Sequence, residues 1–594
     1  MKRVSRQALA GFLAVLFLAC ASRAQVLNQV PDDALLVIKT KNLTATSAKV
    51  GKWLKDLGLA QMKPGLDNPL GLMQKELGLT NGLNANGEMA IVFRDPSKTN
   101  EKGDKSMMLL IPVSDYAAFV SNFKDAKVDG DVTEVAMPKS SDPGFLAHWG
   151  DYAVLSPSKA VASLKTTAPL KITGAATNKE LAGKDIVFYA NFNSLRPMLT
   201  PHLAEMRDKA MEEMENNLGG GDEKLTKFKP VIKAFAGQFF AGLEAFLRDT
   251  DATTISVDFG NDGVNVAAMA EFIPDSYLGT NFASIKNSSE PLLGGLPTGK
   301  YLFFGGHANQ PESTTKFLND FVGPIMKEID AMGPEMKPAH DYMDALNAYV
   351  KAIKSGTFGV VAPSGQLGQE AIVQIVSVSK GDAAAMKDAQ IKMVKAQEAT
   401  MKALGMPADA YSATVVPNSK TIEGVSFDAI NTAVNPNNKD PMAMQQAQIM
   451  AMVYGPGGMS MLEGQVDPNT LVMGMGVTDE VLKNTIMAAK GNQSPLAENA
   501  AIKSVSTHLP TSRTAEFYFP VDQVVTTGLT YARQFGAQMN VNLQPDLPPL
   551  GFTSSTDGSA VRVDGFVPTV LVQQLVSAGM QAYMQTQGGG GGGL

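Results

Sequence analysis

The sequence predicts an α+β protein of two tandem pseudo-repeats, each an antiparallel sheet with amphipathic helices packed on one layer. Three observations carry that expectation. Apolar runs of strand length end on an apolar-proline pair and then turn into helical periodicity, as in Met107–Phe123, Met269–Gly279, Ala515–Val525 and Arg562–Leu575. Strand-helix phrases recur in the same order in both halves of the 594-residue chain. A stretch rich in Ser, Gly and Pro, Ser284–Gly299, lies between the halves and reads as a seam.

The first segment, residues 1–24, reads as a secretory signal peptide. Lys2, Arg3 and Arg6 precede an apolar run from Ala8 to Ala19, and small residues follow. That run is shorter than the roughly 20 apolar residues needed to span a bilayer. Two processing routes stay open. The tripeptide before Gln25 suits a signal peptidase, whereas Phe17–Cys20 loosely matches a lipobox and would leave a lipid anchor on Cys20. Cys20 is the single cysteine, so the chain after it has no disulfide, no thiolate metal site and no thiol nucleophile. A chain of this length builds large cores without such staples. No later stretch approaches membrane-spanning length, and the expected location is the periplasm, the cell envelope or the medium.

Residues 25–290 form the first expected repeat. In Met107–Phe123 the run to Val113 has strand length, and Pro112 removes a ladder donor, which places it at a strand end or edge. Ser114 or Asp115 can cap the helix that follows. Tyr116, Phe119, Val120 and Phe123 then fall at i, i+3, i+4 and i+7, one helical stripe. The same corner recurs after Pro274, Pro520 and Pro568, where the fixed φ of proline suits a first helical turn. The first repeat also carries an insertion, His202–Leu247, read as two helices broken at Gly219–Gly221.

Residues 291–587 form the second expected repeat, and five landmarks align it with the first. Val30–Asn42 parallels Leu296–Asn309; Leu109–Phe123 parallels Val373–Ile391; Gly150–Leu164 parallels Asn469–Ile486. Ile186–Leu199 parallels Ala515–Leu529, and Ile255–Leu278 parallels Phe552–Val572. The last pair shares a strand, an Asp-Gly turn, a second strand, a Phe-x-Pro and a helix. The first two shifts agree at roughly 265 residues, and later ones drift as insertions require. The tail from 588 to 594 is almost all glycine and is expected to be disordered.

Val30–Leu43, Met108–Phe123 and Gly150–Leu164 resemble phrases in large, uncharacterised exported proteins of planctomycete-type bacteria, grouped as domains of unknown function. The resemblance covers the first third of the chain and rests on strand-helix phrasing. It implies an envelope or secreted protein and carries over no functional residue.

Composition and motifs exclude several chemistries. The formal charge is −7, and loss of Lys2, Arg3, Arg6 and Arg23 with the leader makes it four units more negative. No dense basic stripe with interleaved aromatics is present, so nucleic acid is not an expected partner. His148, His202, His307, His340 and His508 are scattered, and none opens an HExxH helix. There is no GxSxG elbow and no GxxxxGK[ST] loop. Ser-x-x-Lys occurs at Ser121, Ser156, Ser313 and Ser377, without the SxN and KTG elements of penicillin-binding enzymes; the sequence at Lys171 carries one residue too many. The stretches at Val128 and Asn435 lack calcium-loop spacing and read as polar turns, as does Gly455–Ser460. Glu212, Glu213 and Glu215 read as a solvated helix face. No catalytic, cofactor-binding or metal residue is assigned, and no cofactor is expected.

Methionine is the compositional oddity, with 32 in the chain. Met442/Met444, Met450/Met452, Met459/Met461 and Met473/Met475 form Met-x-Met pairs. Thioethers are soft ligands that select Cu(I). On a helix, however, residues two apart point to different sides. Met473 and Met475 would share a strand face, but a core face, where methionine serves as flexible filler. The expected function is an exported non-catalytic scaffold or interaction module. The alternative is a binding protein for an apolar ligand, a lipid or a peptide, held between layers or between the halves.

Overall fold

The structure, a computed structural model, describes residues 25–588 apart from 102, 138–141, 166–167, 219–222, 364–370, 404–410, 435–444, 446–452, 455–457, 492, 535 and 537–542. The expected leader with Cys20, the Gly219–Gly221 break, the Asn435 turn and the glycine run from 589 lie outside the described residues. So do Met442, Met444, Met450 and Met452. The chain divides into two compact units, residues 1–200 with 247–273 and residues 201–246 with 274–594.

Unit 1 holds ten strands: β1 (Ala34–Thr40), β2 (Met89–Arg94), β3 (Met107–Pro112), β4 (Lys127–Asp129), β5 (Val132–Ala136), β6 (Pro143–Trp149), β7 (Tyr152–Ser156), β8 (Ile186–Asn191), β9 (Thr250–Phe259) and β10 (Gly263–Phe272). Every pairing is antiparallel, and the order across the sheet is 4-5-6-7-3-2-1-8-9-10. Its helices include α1 (Leu43–Asp56), α2 (Tyr116–Val120), α3 (Lys159–Ser163) and α4 (Ala175–Gly183).

Strand alternation sends side chains to two faces. On the first face Val37, Val92, Leu110 and Val154 pack against Val161 and Ala162 of α3 and Leu181 of α4. Each valine or leucine among them contributes about 1.5–3 kcal/mol on burial. On the second face Leu109, Leu146 and Leu155 meet Tyr116 and Phe119 of α2. Asp115 caps α2 by accepting from the Ala118 backbone N–H. The helix ends at Val120 rather than running through Phe123, yet Phe123 still joins the same cluster.

Two long helices follow β8 and precede β9, α5 (Phe192–Leu218) and α6 (Glu223–Asp249). Residues 201–246 of this pair group with the second unit.

Unit 2 holds β11 (Tyr301–Ala308), β12 (Ile353–Val361), β13 (Gln374–Gly381), β14 (Tyr411–Ile422), β15 (Val425–Val434), β16 (Met459–Asp467), β17 (Thr470–Met475), β18 (Ala515–Phe519), β19 (Leu550–Asp557) and β20 (Ala560–Pro568). Its sheet is again antiparallel throughout, in the order 14-15-16-17-13-12-11-18-19-20. Adding ten to each strand number of unit 1 reproduces this order. The strands in the five sequence landmarks fall at matching ranks, β1 with β11, β3 with β13, β7 with β17, β8 with β18, and β9–β10 with β19–β20. The closing hairpin turns at Asp557–Gly558, where Gly558 has a φ of +58° that side-chain-bearing residues resist.

The helices of unit 2 are α7 (Tyr277–Ser284), α8 (Pro311–Ala331), α9 (Lys337–Ala352), α10 (Ala383–Ala403), α11 (Asp479–Lys490), α12 (Ala500–Ser506), α13 (Val521–Gln534) and α14 (Thr569–Gly588). Ser276 caps α7 and Thr478 caps α11. The first face packs on Leu482 and Ile486 of α11 and on Ile502 and Val505 of α12. The second face packs on Met386 of α10 and Tyr349 of α9.

The seam expected at Ser284–Gly299 is bonded into unit 2. Asn287 Nδ2 donates to the Thr556 carbonyl, Ser288 pairs with Arg513, and the Leu292 N–H donates to Glu516. The division accordingly falls at Ile273/Pro274, because polar seam residues satisfy the ends of β18 and β19. No helix among the described residues is long and apolar enough to cross a membrane.

Candidate functional site

The histidines do not converge. His148 stacks on Tyr116 at 4.3 Å and His508 on Phe566 at 4.1 Å. His340 pairs with Asp330 on an exposed helix surface. His307 is half-buried in β11, and the loss of solvent there pushes its pKa down. Among the described residues no three His, Cys, Asp or Glu side chains come together as a metal group. Three of the four Ser-x-x-Lys serines are engaged elsewhere: Ser121 donates to Ala118, Ser156 to Met107, and Ser313 shares a hydrogen bond with Ser284. Asp129 of the Val128 turn pairs with Lys159, and Glu215 pairs with Lys229 and Lys233.

The second sheet face of each unit is where the chemistry concentrates. In unit 1, cross-strand pairing aligns Ala268, Ile255, Phe188, Ile38, Ile91 and Leu109 in one rung from β10 to β3. None is charged. Ile255 is 52 % exposed and Phe188 44 %, and neighbouring Leu36 is 41 %. Burial deepens toward β6, where α2 covers Leu146. At the other end Trp53 of α1 meets Phe259 edge-on. Between them lies a contiguous apolar strip that no helix of unit 1 covers.

In unit 2 the corresponding rung begins apolar and ends polar. Phe552, Phe517, Gly305 and Phe358 lead to Ser377, Met473, Glu463 and Asp428. Phe303, Phe358 and Phe517 form a half-buried cluster with ring centroids 5.6–6.4 Å apart. Gly305 makes this possible, since a Cβ there would lie 2.3 Å from the Phe517 ring.

At the polar end Lys387 of α10 pairs with Asp428 at 2.9 Å. Burial works against the Asp428 charge, but Lys387 and the Asn418 backbone N–H hold its carboxyl below the usual range. Glu463 has no such help. It is fully buried, neither carboxylate oxygen has a hydrogen-bond partner, and burial pushes its pKa up to about 8. Lys387 opposes that rise and Asp428 adds to it. Beside it the Gln390 amide nitrogen lies 3.0 Å from the Met473 sulfur and 3.7 Å from the Met461 sulfur.

Sequence reasoning missed both features. The only signal for Glu463 was its strand parity with Met459 and Met461, which places a carboxyl on a face otherwise built of thioethers. The open strip in unit 1 had no local signal, because what covers a sheet face is not written in the strand.

No protein family matches the chain, and no curated protein matches it. Three solved structures of TP0453, in crystal forms III, IV and I, are 10 % identical to it. They cover 49, 49 and 50 % of this chain and 98, 97 and 99 % of their own, with TM-scores of 0.22, 0.21 and 0.18.

Proposed function

We propose that the chain is an exported, non-catalytic interaction module whose contact surface is the second face of the unit 1 sheet, and that its occupant is an amphipathic helix of a partner. The observation that carries this reading is the uncharged, exposed strip of Phe188, Ile255 and Leu36. Contiguous apolar surface of this kind marks an interaction site more often than idle surface. The choice of a helix comes from unit 2. There α7 packs against β19 and β20, the strands of the same rank as β9 and β10. Thr556, on the same strand face as Phe552, donates its hydroxyl to the Ile285 carbonyl just after that helix. A short apolar helix is thus the cover this sheet geometry accepts. The leader-like first 24 residues support export, and the matching strand orders support a tandem duplication. The scattered histidines support a role without catalysis.

A synthetic peptide of residues 569–588 serves as the probe, since α14 follows β20 as α7 follows β10. Fluorescence anisotropy should show saturable binding to the full chain and at least tenfold weaker binding to Phe188→Glu. Equal binding by both proteins, or none, would overturn the reading. The second reading is an acyl chain on the half-buried cluster of Phe303, Phe358 and Phe517. Binding of a long-chain fatty acid that survives Phe188→Glu but is lost in Phe358→Glu would favour it.

A further inference from the structure

A buried carboxyl without a hydrogen-bond partner needs an explanation, whether a proton, a water or an ion. Glu463 sits beside two thioethers that converge on one point, because the same Gln390 nitrogen approaches both the Met461 and Met473 sulfurs. Met475 lies directly across from Met461 and shares that face. We propose that Met461, Met473 and Glu463 form a binding site for one soft monovalent cation of the Cu(I) class. The site is independent of the unit 1 contact surface.

The donor set selects the ion. Thioether sulfur favours soft metals, whereas calcium and magnesium require six or more oxygens or an octahedral shell. Charge selects the valence. Lys387 already balances Asp428, so of these two neighbouring acids Glu463 is the uncompensated one, and a single positive charge neutralises it. A divalent ion would leave a net charge buried, which is costly. Geometry adds a third argument. The Gln390 N–H directs positive hydrogen at the sulfur lone pairs, where a cation would sit, and three rotatable side-chain bonds let it withdraw. Met461 and Met473 are only half-buried, so an ion can reach the sulfur side while the carboxyl stays covered. The Met-x-Met spacing is not what builds the site. The two sulfurs come from different strands, diagonal neighbours on the sheet, within reach for long side chains.

The test uses the full chain carrying Cys20→Ser, titrated anaerobically with Cu(I) against a chromophoric Cu(I) chelator. The parent should withdraw one equivalent from the chelator, and X-ray absorption should show two sulfur neighbours and a lighter atom. Met473→Leu and Met461→Leu conserve volume and should each weaken binding at least tenfold, as should Glu463→Gln. If one leucine variant fails to fold, the other carries the test. No withdrawal by the parent would overturn the proposal. So would equal affinity in folded variants, the signature of loose binding to surface methionines.

Discussion

Glu463 on β16 stands directly across from Met473 on β17, and neither of its carboxylate oxygens accepts a hydrogen bond. The pair joins a titratable group to a medium that cannot solvate it. In metal-free protein this sets a pH dependence. Below the ordinary carboxyl value of 4.5 Glu463 is neutral in both folded and unfolded chains. Between 4.5 and about 8 the unfolded chain loses the proton and the folded one keeps it, so stability falls as pH rises. The slope is at most about 1.4 kcal/mol per pH unit. Glu463→Gln should therefore match the parent near pH 4 and exceed it at pH 8 in chemical denaturation. Parallel curves for the two proteins would refute this.

Lys39 is another buried titratable group, 1 % exposed within β1, and it is partnered. Its Nζ lies 2.9 Å from Glu88 and donates to the Leu181 carbonyl at the end of α4. Burial holds its pKa below the ordinary lysine value, against the pull of Glu88. Glu88→Met strips the partner and should cost about 3–5 kcal/mol. Changing both residues, Lys39→Met with Glu88→Met, should cost less than Glu88→Met alone. Urea unfolding midpoints decide it, and an inverted ranking would show that the pair does not act as a unit.

Gly305 separates Phe358 from Phe517 on the second face of unit 2. A methyl there would lie 2.3 Å from the Phe517 ring and 2.5 Å from the Glu516 carbonyl oxygen. Gly305→Ala should destabilise by about 1–3 kcal/mol through overpacking. Gly528, whose Cβ position has nothing within 4 Å, is the control. Gly528→Ala should leave the melting temperature unchanged or raise it, because alanine favours a helix interior.

The two faces of the unit 1 sheet should respond differently to the same kind of change. Ile255→Thr alters an exposed position and should shift stability by no more than about 0.5 kcal/mol. Val187→Thr places a hydroxyl in a fully buried first-face position and should cost about 1–3 kcal/mol. Equal effects in denaturant titrations would mean that the strip is covered in solution.

Much of the strand and corner pattern was legible because it is local. Pro112, Pro274, Pro520 and Pro568 each mark a strand-to-helix corner, since proline ends a ladder and suits a helical start. The helix after Pro112 came out shorter than its apolar stripe, because Phe123 reaches the core from a turn as well as from a helix. The Ser284–Gly299 stretch shows the opposite case. Ser, Gly and Pro signal irregular backbone, and irregular backbone bonded to β18 and β19 looks the same in sequence as a free linker.

By itself the sequence determined the alternation of strand and helix, the corner positions and the order of the recurring phrases. These follow from side-chain periodicity and backbone restriction within a few residues. Tertiary structure alone decided that Glu463 and Met473 share a rung, that Gln390 draws two sulfurs together, and that one strip of sheet stays open. Those depend on register and on what packs across a face, and each brings together residues far apart in the chain.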